Sequence, residues 1–227
     1  MNNWIDVYDY AVFDCDGVLL DSNEIKTQAF RESLPNQPPQ LVEELVNYHQ
    51  KTGGVSRYVK LEYFFKHLKG ENDESQCATL VQEALNLFGS FCYNSLKSCD
   101  EIRGVRDTLN KLSNSSIPLA VVSGSDQHEL RDILTKREFS EHFEHILGSP
   151  KSKIENMRIL GSDGFFRTKG VLFGDSRADL DAAEAFSLDF VFVRGKSEWK
   201  DGTDVCSRLG HRIVDDFTHC ETKHGIT

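Results

Sequence analysis

The chain has 227 residues, which is enough to bury one core domain together with a smaller inserted domain. Its 26 lysines and arginines against 36 aspartates and glutamates give a formal net charge of -10. This charge repels a phosphate backbone, so we expect neither nucleic acid nor an anionic membrane surface as a partner. An anionic ligand would need local positive charge or a bound cation.

The N-terminus has neither a basic segment nor an apolar segment of the kind found in export signals. The six cysteines have no regular spacing, as expected for reduced thiols, and they are Cys15, Cys77, Cys92, Cys99, Cys206 and Cys220. We therefore expect a cytoplasmic protein.

Four continuous apolar runs predict the strands of a parallel sheet. They are YAVFDCDG at 10–17, PLAVVSGS at 118–125, GVLFGDS at 170–176 and LDFVFVRG at 188–195. Unbroken apolar character is typical of strands that are covered on both faces. Weaker runs at 145–147 and 213–214 predict one more strand and a short edge strand, and helical patterns lie at about 103–113, 126–137, 153–160 and 177–186. This alternation predicts an α/β fold with a Rossmann-like, doubly wound parallel sheet.

A purely helical stretch separates the first strand from the others. Helical patterns cover residues 22 to about 34, 41–50, 55–68 and 75–96, and prolines 35, 38 and 39 should end the first of them. Ser22 is placed to cap the first helix. We predict that residues 1–21 and 99–227 form the α/β core and that residues 22–98, the helical insert, form a second domain.

Polar residues follow each predicted strand of the core. In an open parallel sheet the loops after the carboxyl ends of the strands meet, and ligands bind there. The residues that should converge are Asp14 and Asp16, then Ser123, Gly124 and Ser125, then Lys151 and Lys153, and finally Asp175 and Asp179.

In this order the segments resemble the motifs of the haloacid dehalogenase-like hydrolases. The chain reads D-x-D-G-x-L-x-D-S at 14–22, VVSG at 121–124, a lysine after GSP at 148–150, and GDSxxD at 174–179. The helical insert is similar to the C1-type cap of that family. The resemblance covers roughly residues 8–195, and four motifs in order are far more specific than any one of them.

The resemblance implies a phosphatase, or phosphoric monoester hydrolase, that acts on a small phosphorylated metabolite through an aspartyl-phosphate. Asp14 would be the nucleophile, and Asp16 would protonate the leaving alcohol and then take a proton from water. Ser123 and the backbone amide of Gly124 would bind the phosphoryl oxygens. A sugar phosphate or a phospho-acid would suit such a site.

Carboxylates that lie close together repel each other unless a cation intervenes, and hard oxygen ligands favour Mg²⁺. By the resemblance, Mg²⁺ would be bound by the side chain of Asp14, the backbone carbonyl of Asp16 and the side chain of Asp175. Asp179 would be either a further ligand or an outer support.

Two basic positions are less sharply defined. Lys153 would compensate the charge of nucleophile and phosphate, with Lys151 as the alternative. Arg57 follows glycine and serine at the start of a helix in the insert, where similar C1-capped enzymes bind a second anionic group or a sugar oxygen. An exposed helix arginine is an equally good interpretation of Arg57, and Lys60 is a weaker candidate.

Other residues have simpler interpretations. Cys15 should point into the core, because side chains alternate along a strand. His142 and His145 have a spacing that could bind a metal but no third ligand nearby, and His219, Cys220 and His224 suit a solvated tail.

Two alternative functions are a β-phosphoglucomutase-like phosphoryl transferase and a catalytically silent phosphoryl-binding module. A dehalogenase is disfavoured because an acid, Asp16, occupies the second position of the first motif. The sequence leaves open whether the protein is a monomer or a homodimer.

Overall fold

Six parallel strands form a single sheet in the computed structural model of the chain, which describes residues 4–218. The strands are β1 (Tyr10–Phe13), β2 (Leu119–Asp126), β3 (His145–Ser149), β4 (Gly170–Gly174), β5 (Asp189–Val193) and β6 (Arg212–Val214). Their order across the sheet is β3-β2-β1-β4-β5-β6, and each neighbouring pair is parallel. The two weak apolar runs are therefore strands, as predicted.

The chain reverses its direction of travel across the sheet at β1. It moves outward from β1 through β2 to β3, and then returns to place β4 on the other side of β1. In register, Phe13 of β1 lies beside Val121 of β2 and Phe173 of β4. The carboxyl ends of these three strands therefore surround one crevice, the usual position of a ligand in such a sheet.

Nine helices accompany the sheet in the described part of the chain. Four belong to the helical insert: α1 (Asn23–Glu32), α2 (Pro39–Lys51), α3 (Arg57–Tyr63), which continues as a π-helical turn (Phe64–Leu68), and α4 (Glu74–Leu96). The other five are α5 (Val105–Asn114), α6 (Gln127–Lys136), α7 (Lys153–Ser162), α8 (Arg177–Ala185) and α9 (Gly202–Leu209). Short 3₁₀ turns cover Trp4–Val7 and Ser140–His142.

Both faces of the sheet are covered. Alternate residues of β1 point to opposite sides, so Phe13 and Cys15 join a core that includes residues of α5, α6 and the insert. Val12 joins a second core formed with α7, α8 and α9. The doubly wound α/β fold is therefore confirmed, and Cys15 is buried at 3% exposure, as predicted.

Local sequence explains most helix boundaries, with two differences from expectation. Pro39 is the first residue of α2, a position where proline needs no amide hydrogen, so it begins this helix instead of only ending the one before. Helix α9 was not predicted. Within residues 4–218, no helix is both long and apolar enough to span a membrane.

The helical insert leaves the core and returns to it at adjacent points. The amide of Asp21 donates to the carbonyl of Asp100 at 2.9 Å, and the amide of Ile102 donates to the carbonyl of Leu19 at 3.0 Å. Glu101, between the two returning residues, is paired with Arg106. The two linkers thus lie side by side.

Candidate active site

A pocket lies between the carboxyl ends of the strands and the helical insert. Six of the predicted site residues line it: Asp14, Asp16, Arg57, Ser123, Gly124 and Asp175. Lys60, the weaker candidate, also lines the pocket. The walls include residues that were not predicted, among them Asn23, Lys26, Phe30, His49, Phe88, Glu198 and Trp199. The strand ends and the insert therefore form one site.

Asp14 lies at the end of β1 and is 4% exposed. Its amide donates to the carbonyl of Phe173 on β4 at 2.9 Å, which ties the first motif to the fourth. Gly17 then turns the chain with φ +74°, and a Cβ there would overlap the Asp175 carboxylate. Glycine is needed at this turn both for its left-handed conformation and for space.

Lys153, the first residue of α7, faces Asp14. Its Nζ lies 3.0 Å from Asp14 Oδ1 and also pairs with Asp179 Oδ1. Ser152 caps the helix, since its Oγ accepts from the amide of Glu155 at 3.3 Å and its own amide donates to Glu155 Oε2 at 2.7 Å. This cap fixes where the helix begins and aims Lys153 into the site, whereas Lys151 is exposed on the preceding turn.

Asp16 is held by hydroxyl groups on two sides. Ser22 Oγ donates to its Oδ1 at 2.5 Å and Ser125 Oγ to its Oδ2 at 2.6 Å, while Lys26 Nζ lies 3.9 Å away. Burial alone would raise the pKa of Asp16, but Lys26 and the two hydroxyl groups more than offset this, so the pKa is lowered. Ser22 makes no side-chain capping bond to α1, contrary to expectation, because its hydroxyl is used here.

Three buried carboxylates, those of Asp14, Asp175 and Asp179, place ligand atoms within 4.8 Å of one another. Burial raises the pKa of Asp14 to about 7 against the attraction of Lys153, and the charges of Asp179 and Asp16 add to the rise. Burial and the charge of Asp14 likewise raise the pKa of Asp175 well above its usual range. One lysine does not neutralise three carboxylates, so the donor set suits a hard divalent cation.

Asp175 and Asp179 differ in how many of their carboxylate oxygens have a hydrogen-bond or ion-pair partner. Asp179 is fully engaged, because its Oδ2 accepts from the amide of Ser176 at 3.1 Å and from its hydroxyl at 2.5 Å, and its Oδ1 pairs with Lys153. Among the described residues, the Asp175 carboxylate accepts a hydrogen bond only from the side-chain amide of Asn23, at 2.5 Å on Oδ2. The geometry favours Asp175 as a ligand and Asp179 as a support.

The end of β2 meets the insert backbone to backbone. Ser123 is 1% exposed and its Oγ accepts from the amide of Ser125 at 3.2 Å. A Cβ on Gly124 would overlap the carbonyl of Gly54, whose carbonyl carbon would lie 2.9 Å away. Only glycine lets the turn of the insert sit this close to the Ser123 loop.

Arg57 lies in the pocket wall, and its side chain is 10% exposed. Its Nη1 donates to Glu129 Oε2 at 2.9 Å, and its guanidinium lies 5.0 Å from the ring centre of Phe88. It is therefore not an exposed helix arginine. Glu129 also accepts from Lys26 at 3.1 Å, so one carboxylate of α6 binds cations of both α1 and α3.

The histidines do not assemble a second metal site among residues 4–218. His142 Nδ1 lies 3.1 Å from the hydroxyl of Ser113, and His145 Nδ1 lies 4.0 Å from a carboxylate oxygen of Asp163. The tail residues at 219, 220 and 224 lie outside the described part of the chain.

Comparisons with known proteins agree with this geometry. A family model described as haloacid dehalogenase-like hydrolase matches residues 11–193. The chain is similar to a phosphorylated carbohydrates phosphatase of Thermotoga maritima, 23% identical over 190 residues that cover 80% of this chain and 83% of the relative. It is similar to a phosphoglycolate phosphatase of Pseudomonas putida, 26% identical over 190 residues that cover 80% of this chain and 67% of the relative.

The fold is also found in a crystal structure of β-phosphoglucomutase from Clostridium difficile, with TM-score 0.68 and 18% identity, covering 93% of this chain and 92% of that one. At this identity the likeness concerns the fold alone. The family match spans both the first strand and the fifth, and therefore all four strand-end motifs and the insert between them. The chain belongs to the haloacid dehalogenase-like hydrolases.

Proposed function

We propose that the protein is a Mg²⁺-dependent phosphomonoester hydrolase that acts on a small phosphorylated metabolite, a sugar phosphate or a phospho-acid. One observation carries the proposal: Asp14 and Asp16 end in the same pocket, Asp14 beside Lys153 and Asp16 beside two hydroxyl groups and a lysine. The two acids thus have different surroundings, as a nucleophile and a proton carrier require. The relatives named as phosphatases support the same reaction class.

In the first step an oxygen of the Asp14 carboxylate attacks phosphorus, and the bond from phosphorus to the leaving alcohol breaks. The proton on Asp16 passes to the departing oxygen. Lys26 and the hydroxyl groups lower the pKa of Asp16, but an incoming phosphoryl dianion opposes its negative charge and favours the protonated form. Ser123 and the amide of Gly124 hold the phosphoryl oxygens.

In the second step the ionised Asp16 takes a proton from water, whose oxygen attacks the aspartyl-phosphate. The bond between phosphorus and Asp14 breaks, and inorganic phosphate leaves. The low pKa that Lys26 and the hydroxyl groups give Asp16 suits this step, since the residue must start it ionised. Lys153 stabilises Asp14 as it becomes a carboxylate again.

Asp14, Asp175 and the backbone carbonyl of Asp16 would hold Mg²⁺, with Asp179 as support. The excess of buried carboxylates over lysine is the feature that fits a divalent cation. When bound, the ion would neutralise charge on the phosphoryl oxygens. Lys153 holds the carboxylate of Asp179 in place, and Asn23 holds that of Asp175.

We also propose that residues 22–98 act as a cap over a core of residues 1–21 and 99–227. The insert supplies a large part of the pocket wall and contacts the loops of the second and fourth motifs through Gly53 and Gly54. A cap in this position would exclude water during the first transfer. A cytoplasmic location and a monomeric or homodimeric state stay predictions.

Phosphate release from an aryl phosphate tests the reaction. The purified protein should hydrolyse it with Mg²⁺ and stop with EDTA, and Asp14→Asn should abolish turnover because an amide cannot act as the nucleophile. Circular dichroism of Asp14→Asn should be unchanged. Full activity in this variant would exclude the mechanism, and phosphate binding without turnover by the wild type would indicate a silent binding module.

A further inference from the structure

Lys60 is a buried cation for which the proposed mechanism has no use. It lies on α3 of the insert, is 1% exposed, and lines the pocket. Its Nζ contacts His49 Nδ1 at 2.8 Å and the carbonyl of His49 at 3.5 Å. No carboxylate oxygen of residues 4–218 lies within the 4.0 Å of an ion pair with it. A buried ammonium without an acidic partner costs stability, so its position calls for a functional reason.

The other buried cations in or beside the pocket are already paired. Lys26 and Arg57 both bind Glu129, at 3.1 Å and 2.9 Å. Lys153 is paired with Asp14. Within the described chain, Lys60 is thus the buried cation of this site that is left to meet a charge brought by a ligand.

The neighbour of Lys60 offers a second donor. When Lys60 is protonated it can only donate, so Nδ1 of His49 accepts and the neutral ring carries its hydrogen on Nε2. Among residues 4–218 that buried Nε2 has no hydrogen-bond partner, because Glu198 Oε2, at 3.7 Å, lies beyond hydrogen-bond distance. Burial and the charge of Lys60 lower the pKa of His49, which keeps the ring neutral.

Glu198 does not satisfy this pair of donors. Its Oε1 accepts from Thr27 at 3.0 Å and from Gln50 at 3.2 Å, and its Oε2 accepts from Thr27 at 3.3 Å, so its hydrogen bonds are made to Thr27 and Gln50 and not to Lys60 or His49. Arg57 Nε, in the wall of the same pocket, is also buried and has no hydrogen-bond partner in the part of the chain that the structure describes. The insert therefore presents donors in excess, and an acceptor group of the ligand would complete them.

We propose that Lys60 and the Nε2 hydrogen of His49 bind a second anionic group, a carboxylate or a phosphate, on the leaving alcohol of the substrate. The protein would then select phosphomonoesters that carry two anionic groups over those with a neutral alcohol. This inference rests on the proposed function and specifies its substrate class.

Pairs of substrates that differ only in the second group test the proposal. The compounds are 2-phosphoglycolate against 2-hydroxyethyl phosphate, 3-phosphoglycerate against glycerol 3-phosphate, and propane-1,3-diol bisphosphate against 3-hydroxypropyl phosphate. Phosphate release gives kcat/KM for the wild type, Lys60→Met, Lys60→Arg and Lys66→Met. Lys66 is an exposed lysine of the same insert, paired with Glu62, and makes a matched control.

The wild type should prefer the anionic member of a carboxylate pair or of the bisphosphate pair, and which pair shows it identifies the group. Lys60→Met should lower kcat/KM for that member on the order of 10- to 100-fold, as for loss of a charged hydrogen bond, with little change for its neutral partner. Lys60→Arg should restore much of the preference, and Lys66→Met should behave as the wild type.

An equal loss for both members of every pair, or a wild-type preference for the neutral members, would overturn the inference while leaving the phosphatase intact. If the wild type released phosphate from none of the six compounds and from no aryl phosphate, the proposed function would fail first.

Discussion

Replacing Lys60 by methionine is expected to stabilise the fold at neutral pH, even though it should impair the binding of a doubly anionic substrate. Burial lowers the pKa of Lys60 from 10.5 to about 7, and the charges of Glu198 and Asp16 offset only part of this effect. The lysine is 1% exposed, so solvent screens it little. Methionine has a similar length, needs no proton and packs well in irregular apolar surroundings.

The magnitude follows from the two pKa values. A pKa difference of one unit corresponds to about 1.4 kcal/mol, so the buried ammonium lowers the free energy of unfolding by about 4 kcal/mol at pH 7. The unfolded chain keeps its proton up to pH 10.5 while the folded protein loses it near 7, and the unfolded state therefore binds more protons between these values. The penalty is full below about pH 7, shrinks as the pH rises, and vanishes above about 10.5.

Urea unfolding followed by circular dichroism at pH 6.5, 8 and 9.5 measures this difference. Lys60→Met should exceed the wild type most at the lowest pH, and the gap should close by about 1.4 kcal/mol per pH unit in the upper part of the range. Lys66→Met, which removes an exposed lysine, should show no such trend. A gap that does not change with pH, or a variant less stable than the wild type at pH 6.5, would refute the reasoning.

Two further predictions concern the stability of the folded protein. Glu129→Gln should lower the free energy of unfolding by about 3 kcal/mol in urea melts, because it leaves the buried cations of Lys26 and Arg57 without their shared carboxylate; an unchanged melt would contradict this. Mg²⁺ at one hundred times its dissociation constant should stabilise the wild type by about 2.7 kcal/mol in thermal melts, since it binds the folded state. Asp175→Asn should abolish that gain, and a variant that still responds fully to Mg²⁺ would exclude Asp175 as a ligand.

The sequence predicted the strands well, but it missed helix α9 and did not predict the order in which the strands pair. Continuous apolar runs such as 118–125 and 170–176 need burial on both faces, and a parallel sheet covered by the helical segments between the runs provides this, so the fold class followed. Helix α9 was missed because its amphipathic pattern is short and begins at Gly202, a poor helix former. The order in which the strands pair depends on tertiary packing, and a local sequence pattern does not encode it.

The site residues also differ in how far the sequence predicts them. The preference for Lys153 over Lys151 came from the family resemblance, and the local sequence supports it independently, since Ser152 and Glu155 form a capping box that makes Lys153 the first helical residue. From the sequence Lys60 is only a weaker candidate than Arg57, because its importance comes from burial beside His49, eleven residues earlier on another helix.

Glu198 is not marked by any pattern in the sequence. It belongs to the loop after β5, far along the chain from Thr27 and Gln50, which it meets only in the folded protein. Its contribution to the pocket wall therefore depends on how the insert packs against the core.

The two adjacent linkers have a consequence for how such a protein can evolve. The insert departs after Asp21 and rejoins at Asp100, and the backbones of these two residues are hydrogen-bonded to each other. A recombination event that exchanged the segment between them would leave the path of the sheet unchanged, as would one that shortened it to a turn. The acids at the strand ends and the lysine that we propose selects the substrate can thus have separate histories, one inherited with the sheet and the other with the exchanged segment.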